Sequence, residues 1–159
     1  MKSYNGFTAT ERMNAFRWFK LEIAAGRKPK SPTSCDVCGQ SEGSLMWHSE
    51  DYSFPYGKHI GHYGLCYICH MMIHCRFNNP LKWDEYKSKI TEGFKYEAYK
   101  GNNWVGFRQD FLVGDYIHRD YSPAPYAQSD VFNKIEGFQK NTLKMEKVGN
   151  RTSGERHVG

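Results

Sequence analysis

Two cysteine pairs, Cys35-Asp36-Val37-Cys38 and Cys66-Tyr67-Ile68-Cys69, have 27 residues between them. Each spacing lets the backbone bend into a knuckle that offers two thiolates to one ion, and four thiolates favour zinc in a closed tetrahedral site. A shared ion joins two remote segments, so any fold open to this chain has to bring residue 35 beside residue 66. Disulfides are the competing use. They belong to oxidising compartments, and the N-terminus "MKSYNGFTATERMNAF" lacks the charged-then-apolar layout of a secretion signal. A four-thiolate site leaves zinc no open position, so this ion is expected to be structural and to supply folding free energy. Cys75, six residues past Cys69, reads as a small buried residue.

With 159 residues and 39% hydrophobic content, the chain has material for one domain with a modest core and flanking arms. No stretch approaches the roughly 18 apolar residues that a membrane span needs, so no membrane partner and a cytoplasmic setting are expected. Lys and Arg number 22 against 17 Asp and Glu, a formal charge of +5, which suits a polyanionic partner. The cations gather in "GRKPKSP" and in the last thirty residues. Aromatics make up 16% of the chain, and many sit beside basic residues; the same rings serve equally to fill a core short of aliphatics. Arg17, Trp18, Lys20, Trp104 and Arg108 are the candidate contacts for stacking on bases and pairing with phosphates.

Thr8 and Glu11 form a capping-box pattern ahead of Met13, Phe16, Phe19 and Ile23, which recur at helical spacing until Gly26. A helix over about 9–25 is predicted, followed by the linker "RKPKSPTS". Leu45 to Tyr52 reads as a strand, "FPYGKHIGHYG" as a loop, and a helix from about Cys66 to Asn78 ends at "NNP". After Pro80, "LKWDEYKSKI" predicts a short amphipathic helix with Leu81, Tyr86 and Ile90 on one face, closed by Gly93. "NNWVGFRQDFLVGDY" could add one more short element. The tail turns polar beyond Pro125 and reads as mostly mobile, with a short helix around 130–147.

On a helix beginning near Cys66, His70 and His74 share a face one turn apart, and two imidazoles so placed can bind one ion. A third ligand has to come from elsewhere, and "LMWHSEDYS" offers His48 from a strand that the zinc knuckle would hold nearby. If that segment is extended, His48 and Glu50 face one way and Ser49 and Asp51 the other. The plainer alternative makes all three histidines ordinary surface or core residues.

The order CxxC, then "HSEDYS", then "LCYICHMMIH" resembles the HNH, or His-Me finger, nucleases, and is especially similar to zinc-stabilised phage and bacterial members. The match covers about residues 35–75. The resemblance implies an α+β fold: a small zinc-stabilised ββα-metal core, with flanking helices and a flexible C-terminal tail. It divides the chain into an N-terminal helix and basic linker (1–30), the HNH-like core with its following helices (31–122) and the tail (123–159). It implies that His48, His70 and His74 bind a second divalent cation (Mg, Mn, Ni or Zn), and that the setting is a bacterial or phage-infected cell.

One position departs from the family pattern. Ser49 stands where the family has its general-base histidine, and a hydroxyl cannot accept a proton usefully near neutral pH. The family's middle asparagine falls near Gly61 or His62, so the loop "GKHIGHYG" becomes the source of a replacement base, with His62 ahead of His59. Glu50 is the weaker candidate, because a solvated carboxylate is ionised far below the working pH.

Two functions follow from the resemblance. In one, the protein is a metal-dependent endonuclease cleaving phosphodiester bonds of DNA or RNA, with His48 and His62 in the catalytic set. In the other, the chemistry is lost and a zinc-stabilised module binds nucleic acid or a protein partner.

Overall fold

The computed structural model describes residues 1–96, 98–100, 120–123 and 129–138. The chain is a small α+β protein. Among the described residues the elements run α1 (Ala9–Ala24), β1 (Leu45–His48), β2 (Tyr63–Cys66), α2 (Tyr67–Cys75), α3 (Pro80–Thr91), β3 (Phe94–Tyr96), β4 (Asp120–Pro123) and α4 (Ser129–Gly137). They fall into two compact units. The first takes Met1–Lys30, Ser49–His62 and the C-terminal segment that begins at Lys134; the second takes Ser31–His48 and Tyr63–Asn133.

In the first unit, α1 starts at the predicted capping box. Thr8 Oγ1 accepts the Glu11 N–H while the Glu11 carboxylate accepts the Thr8 N–H, so two donors that a helix start leaves open are satisfied. The face it buries differs from the expected one: Ala15 and Phe19 are buried, whereas Phe16 is exposed. Ahead of α1, Tyr4 and Phe7 exchange backbone hydrogen bonds across a tight turn, with Asn5 and Gly6 at positive φ. Edge contacts of Tyr52 with Tyr4 and Phe7, and a stack of Phe7 on Phe138, form an aromatic cluster. The Arg12 guanidinium lies over both the Tyr4 and Tyr52 rings.

In the second unit, β1 and β2 pair antiparallel, with Leu45 opposite Cys66 and His48 opposite Tyr63, and β2 runs directly into α2. The strand predicted over Leu45–Tyr52 stops at His48, and the predicted helix ends at Cys75 rather than Asn78. Asn79 caps α3 through its side chain, and Pro80 sits in the first turn, where its missing N–H costs nothing. The buried face of α3 is Trp83, Tyr86 and Ile90, while Leu81 is exposed. Spacings of three and four keep those three on one stripe. Phe132 of α4 meets the edges of Trp83 and Tyr86. β3 pairs antiparallel with β4 through a bulge at Lys95 and Tyr96. A helix does form in the predicted tail, over Ser129–Gly137. The remaining tail and the "NNWVGFRQDFLVGDY" segment, with Trp104 and Arg108, lie outside the described residues.

Candidate metal centres

Cys35, Cys38, Cys66 and Cys69 come together in the second unit, all four buried and all four free of disulfides. Their sulfurs lie within 4.8 Å of one another. Two sulfurs each about 2.3 Å from a tetrahedral zinc are about 3.8 Å apart, whereas a disulfide needs about 2.05 Å. The Cys38–Cys66 separation is 3.7 Å. The quartet therefore has the dimensions of a zinc site before any ion enters it.

Local backbone structure builds both knuckles. Cys35 Sγ accepts the N–H groups of Val37 (3.4 Å) and Cys38 (3.5 Å), and Gly39 turns the chain at φ +79°. Cys66 is the N-cap of α2, its sulfur accepting the Cys69 N–H at 3.5 Å. A clamp joins the first knuckle to β2: the Asp36 N–H donates to Gly64 O (2.7 Å), and the Gly64 N–H donates to Asp36 Oδ2 (2.8 Å). Only glycine fits at position 64, because a Cβ there would lie 2.5 Å from Pro32 Cβ.

The thiols are electrostatically unequal. Burial alone would push Cys35 up, but hydrogen bonds from Cys38, Cys66 and Cys69 outweigh it and hold Cys35 well below the ordinary thiol range. Cys66, through its hydrogen bonds with Cys35 and Cys38, and Cys69, chiefly through burial, are pushed well above that range. A divalent cation bound here would displace the thiol protons. Donor type, spacing and charge all fit zinc.

The second cluster is His48, His70 and His74, with one ring nitrogen from each again within 4.8 Å. His48 ends β1 and is 2% exposed, while His70 and His74 lie half-buried on one face of α2. The ring centroids of each pair are 4.6 to 5.1 Å apart. The Nε2 atoms of His70 and His74 are 3.0 Å apart. Two nitrogens about 2.1 Å from one ion at a right angle span about 3.0 Å, so one divalent cation fits between them. His70 Nδ1 abuts Met46 Sδ, two residues before His48 on the same strand face. Three imidazoles with half-buried outer rings can hold an ion and leave it further positions to fill.

Ser49, His59, Glu50 and His62 all belong to the first unit. Ser49 is buried, and its Oγ accepts the Gly61 N–H at 2.7 Å, fixing the far end of the 49–61 loop. His59 Nε2 donates to Ser53 O at 2.8 Å. Glu50 is buried rather than solvated, which corrects the expectation above: its carboxylate accepts from the Tyr4 hydroxyl and from Asn5 Nδ2. It also does not share a strand face with His48, because β1 ends there. His62 is exposed and lines a cavity with Trp18 and Phe19 of α1. Arg17 and Lys20 are exposed on α1, and Trp18 is half-buried with its ring tilted against Tyr56.

Two site features lay outside the sequence reading. The Asp36–Gly64 clamp had a weak signal, an acidic residue inside a CxxC and a glycine two before the next one. The Met46 contact had none beyond its i−2 relation to His48. In comparisons with known proteins, no family model, no curated protein and no solved structure matches this chain. Among the described residues no helix is long and apolar enough to cross a membrane.

Proposed function

We propose that the protein is a metal-dependent endonuclease of the HNH type, hydrolysing phosphodiester bonds in DNA or RNA. One observation carries the reading: a strand-strand-helix unit places His48 of β1 beside His70 and His74 of α2, with the four-cysteine cluster at the junction of β2 and α2. His48, His70 and His74 would hold a divalent cation. When bound, that ion supplies Lewis-acid stabilisation of charge on the phosphate and the leaving oxygen. The chain's own part is to fix the three rings before substrate arrives and to supply a base. His62 is the candidate base from the sequence, since an imidazole titrates in the useful range and a serine hydroxyl does not. Exposed Arg17 and Lys20 would draw the polyanion in.

The test is cleavage of plasmid DNA and of folded RNA with added Mg, Mn or Ni. His70→Ala and His74→Ala should abolish cleavage and retain the structural zinc; His62→Ala should abolish it with both metals retained. Cleavage that survives His70→Ala and His74→Ala together refutes the reading. The Ser49–Gly61 bond favours a second reading, in which the base was lost and its position absorbed into loop anchoring, leaving a zinc-stabilised binding module for nucleic acid or protein. Binding without cleavage under every metal would select it.

A further inference from the structure

The first unit has a cavity of about 550 Å³ lined by α1, the segment after it and the 57–62 loop. That volume lies within the range of small-molecule sites, roughly 300 to 1,000 Å³. Two kinds of group line it. Trp18 and Phe19 supply flat rings, and Arg27, Lys28 and Lys58 supply cations against one carboxylate, Glu22. The carboxylate is already committed, because Arg27 holds it with two hydrogen bonds of 2.9 Å each. Lys28 and Lys58 therefore set the local sign, with Lys28 Nζ 5.9 Å above the Phe19 ring and Lys58 exposed. Aromatic faces next to ammonium groups match a ligand with a planar base and a phosphate.

The surroundings decide between a free nucleotide and a strand. From the cavity wall a row of ring contacts leads outward, Trp18 tilted by 40° against Tyr56 (5.8 Å) and Tyr56 edge-on to Phe54 at 87° (5.2 Å), and Phe54 is 79% exposed. A ring so exposed is costly in water and gives a following base a surface on which to stack. Arg17 and Lys20, exposed on the same helix, extend the positive charge beyond the cavity. The close approach that forms the wall is also specific: Gly61 has φ +63°, and a Cβ there would collide with the Phe19 ring.

The geometry points to a single-stranded nucleic-acid site in the first unit, with one nucleotide in the cavity against Trp18, its phosphate at Lys28 and Lys58, and the next base on the exposed ring of Phe54. Stacking accepts any base, so the site selects unpaired strands rather than a sequence. A duplex keeps its bases stacked internally and cannot offer them to Trp18 and Phe54. The site is built within the first unit and the histidine cluster within the second; His62, which also lines the cavity, is altered in neither variant, so the binding test does not depend on the nuclease reading.

The test is fluorescence anisotropy of a labelled twelve-nucleotide oligo(dT) with the full-length, zinc-loaded protein and no added divalent metal, so that no strand is consumed. The Lys28→Ala/Lys58→Ala variant should bind at least about tenfold more weakly, and the slope of log affinity against log salt should fall by about 1.4. Phe54→Ala, a change at an exposed ring, should weaken binding about five- to tenfold with no change in melting temperature. Duplex of equal length should bind less tightly than the strand, and AMP should compete only at millimolar concentration. Unchanged affinity in the double variant overturns the proposal, as does preference for duplex or micromolar competition by AMP. Absence of cleavage with strand binding intact defeats the nuclease reading alone; cleavage with both variants binding like wild type defeats this one alone.

Discussion

Asp36 is the residue through which the zinc centre most directly depends on the sheet. Replacing it with alanine removes the carboxylate that accepts the Gly64 N–H at 2.8 Å and leaves the second half of the clamp, Asp36 N–H to Gly64 O, in place. A hydrogen bond to a charged group contributes about 1.5 to 3 kcal/mol, and the surviving backbone bond places the loss in the lower half of that range. The clamp holds the first knuckle against β2 in the arrangement that zinc needs, so most of the loss should appear in zinc affinity, as a weakening of about ten- to thirtyfold. Asp36→Asn keeps an oxygen acceptor without the charge, and about three- to fivefold is expected. Competition with a chromophoric chelator measures both, with zinc content confirmed by mass spectrometry under native conditions. Wild-type affinity in Asp36→Ala, or a larger loss in Asp36→Asn than in Asp36→Ala, would refute the reasoning.

Cys38→Ser should lose zinc and unfold the second unit, read as collapse of the near-ultraviolet circular dichroism; a folded variant with full zinc content would remove the structural role. His74→Ala should retain one zinc per chain and lose only a second, weaker ion, seen by titration with manganese or nickel. Ser49→His places a ring where a buried hydroxyl now satisfies the Gly61 N–H, so stability should fall by about 1 to 3 kcal/mol in urea unfolding. Burial, chiefly, pushes the Tyr52 phenol above its ordinary range. A raised folded-state value means that its contribution is intact below about pH 10 and is lost as pH climbs through the folded value. Tyr52→Phe should therefore soften the alkaline decline in stability; an unchanged decline would exclude that phenol as its source.

What could be read from the sequence was whatever local chemistry decides. The capping box at Thr8 and Glu11 acts within a few residues and appears where expected, whereas α2 ends at Cys75, three residues before the stop read from Asn79-Pro80. The four cysteines meet because one ion's geometry was already encoded in their spacing. Burial was harder, since periodicity gives a stripe but not its partner. Phe16 and Leu81 fit their helical patterns and are nonetheless exposed, while Ala15 and Trp83 are buried. Glu50 failed for a related reason: its environment comes from Tyr4 and Asn5, more than forty positions away, and no local rule reaches that far.

The connection between β1 and β2 is not a turn but the fourteen residues Ser49–His62, which belong to the first unit. Relative to a two-residue hairpin, closing such a loop costs about 1.7 kcal/mol more in chain entropy, so the strand pair is a poor site for folding to begin. The cost is met only when Cys66 and Cys69 arrive to complete the cluster begun at Cys35. On the ribosome the first knuckle would emerge long before its partner and wait as a reactive dithiol through the synthesis of the whole excursion. Zinc supply during that interval, rather than the stability of the finished protein, would then decide how many chains reach the native state.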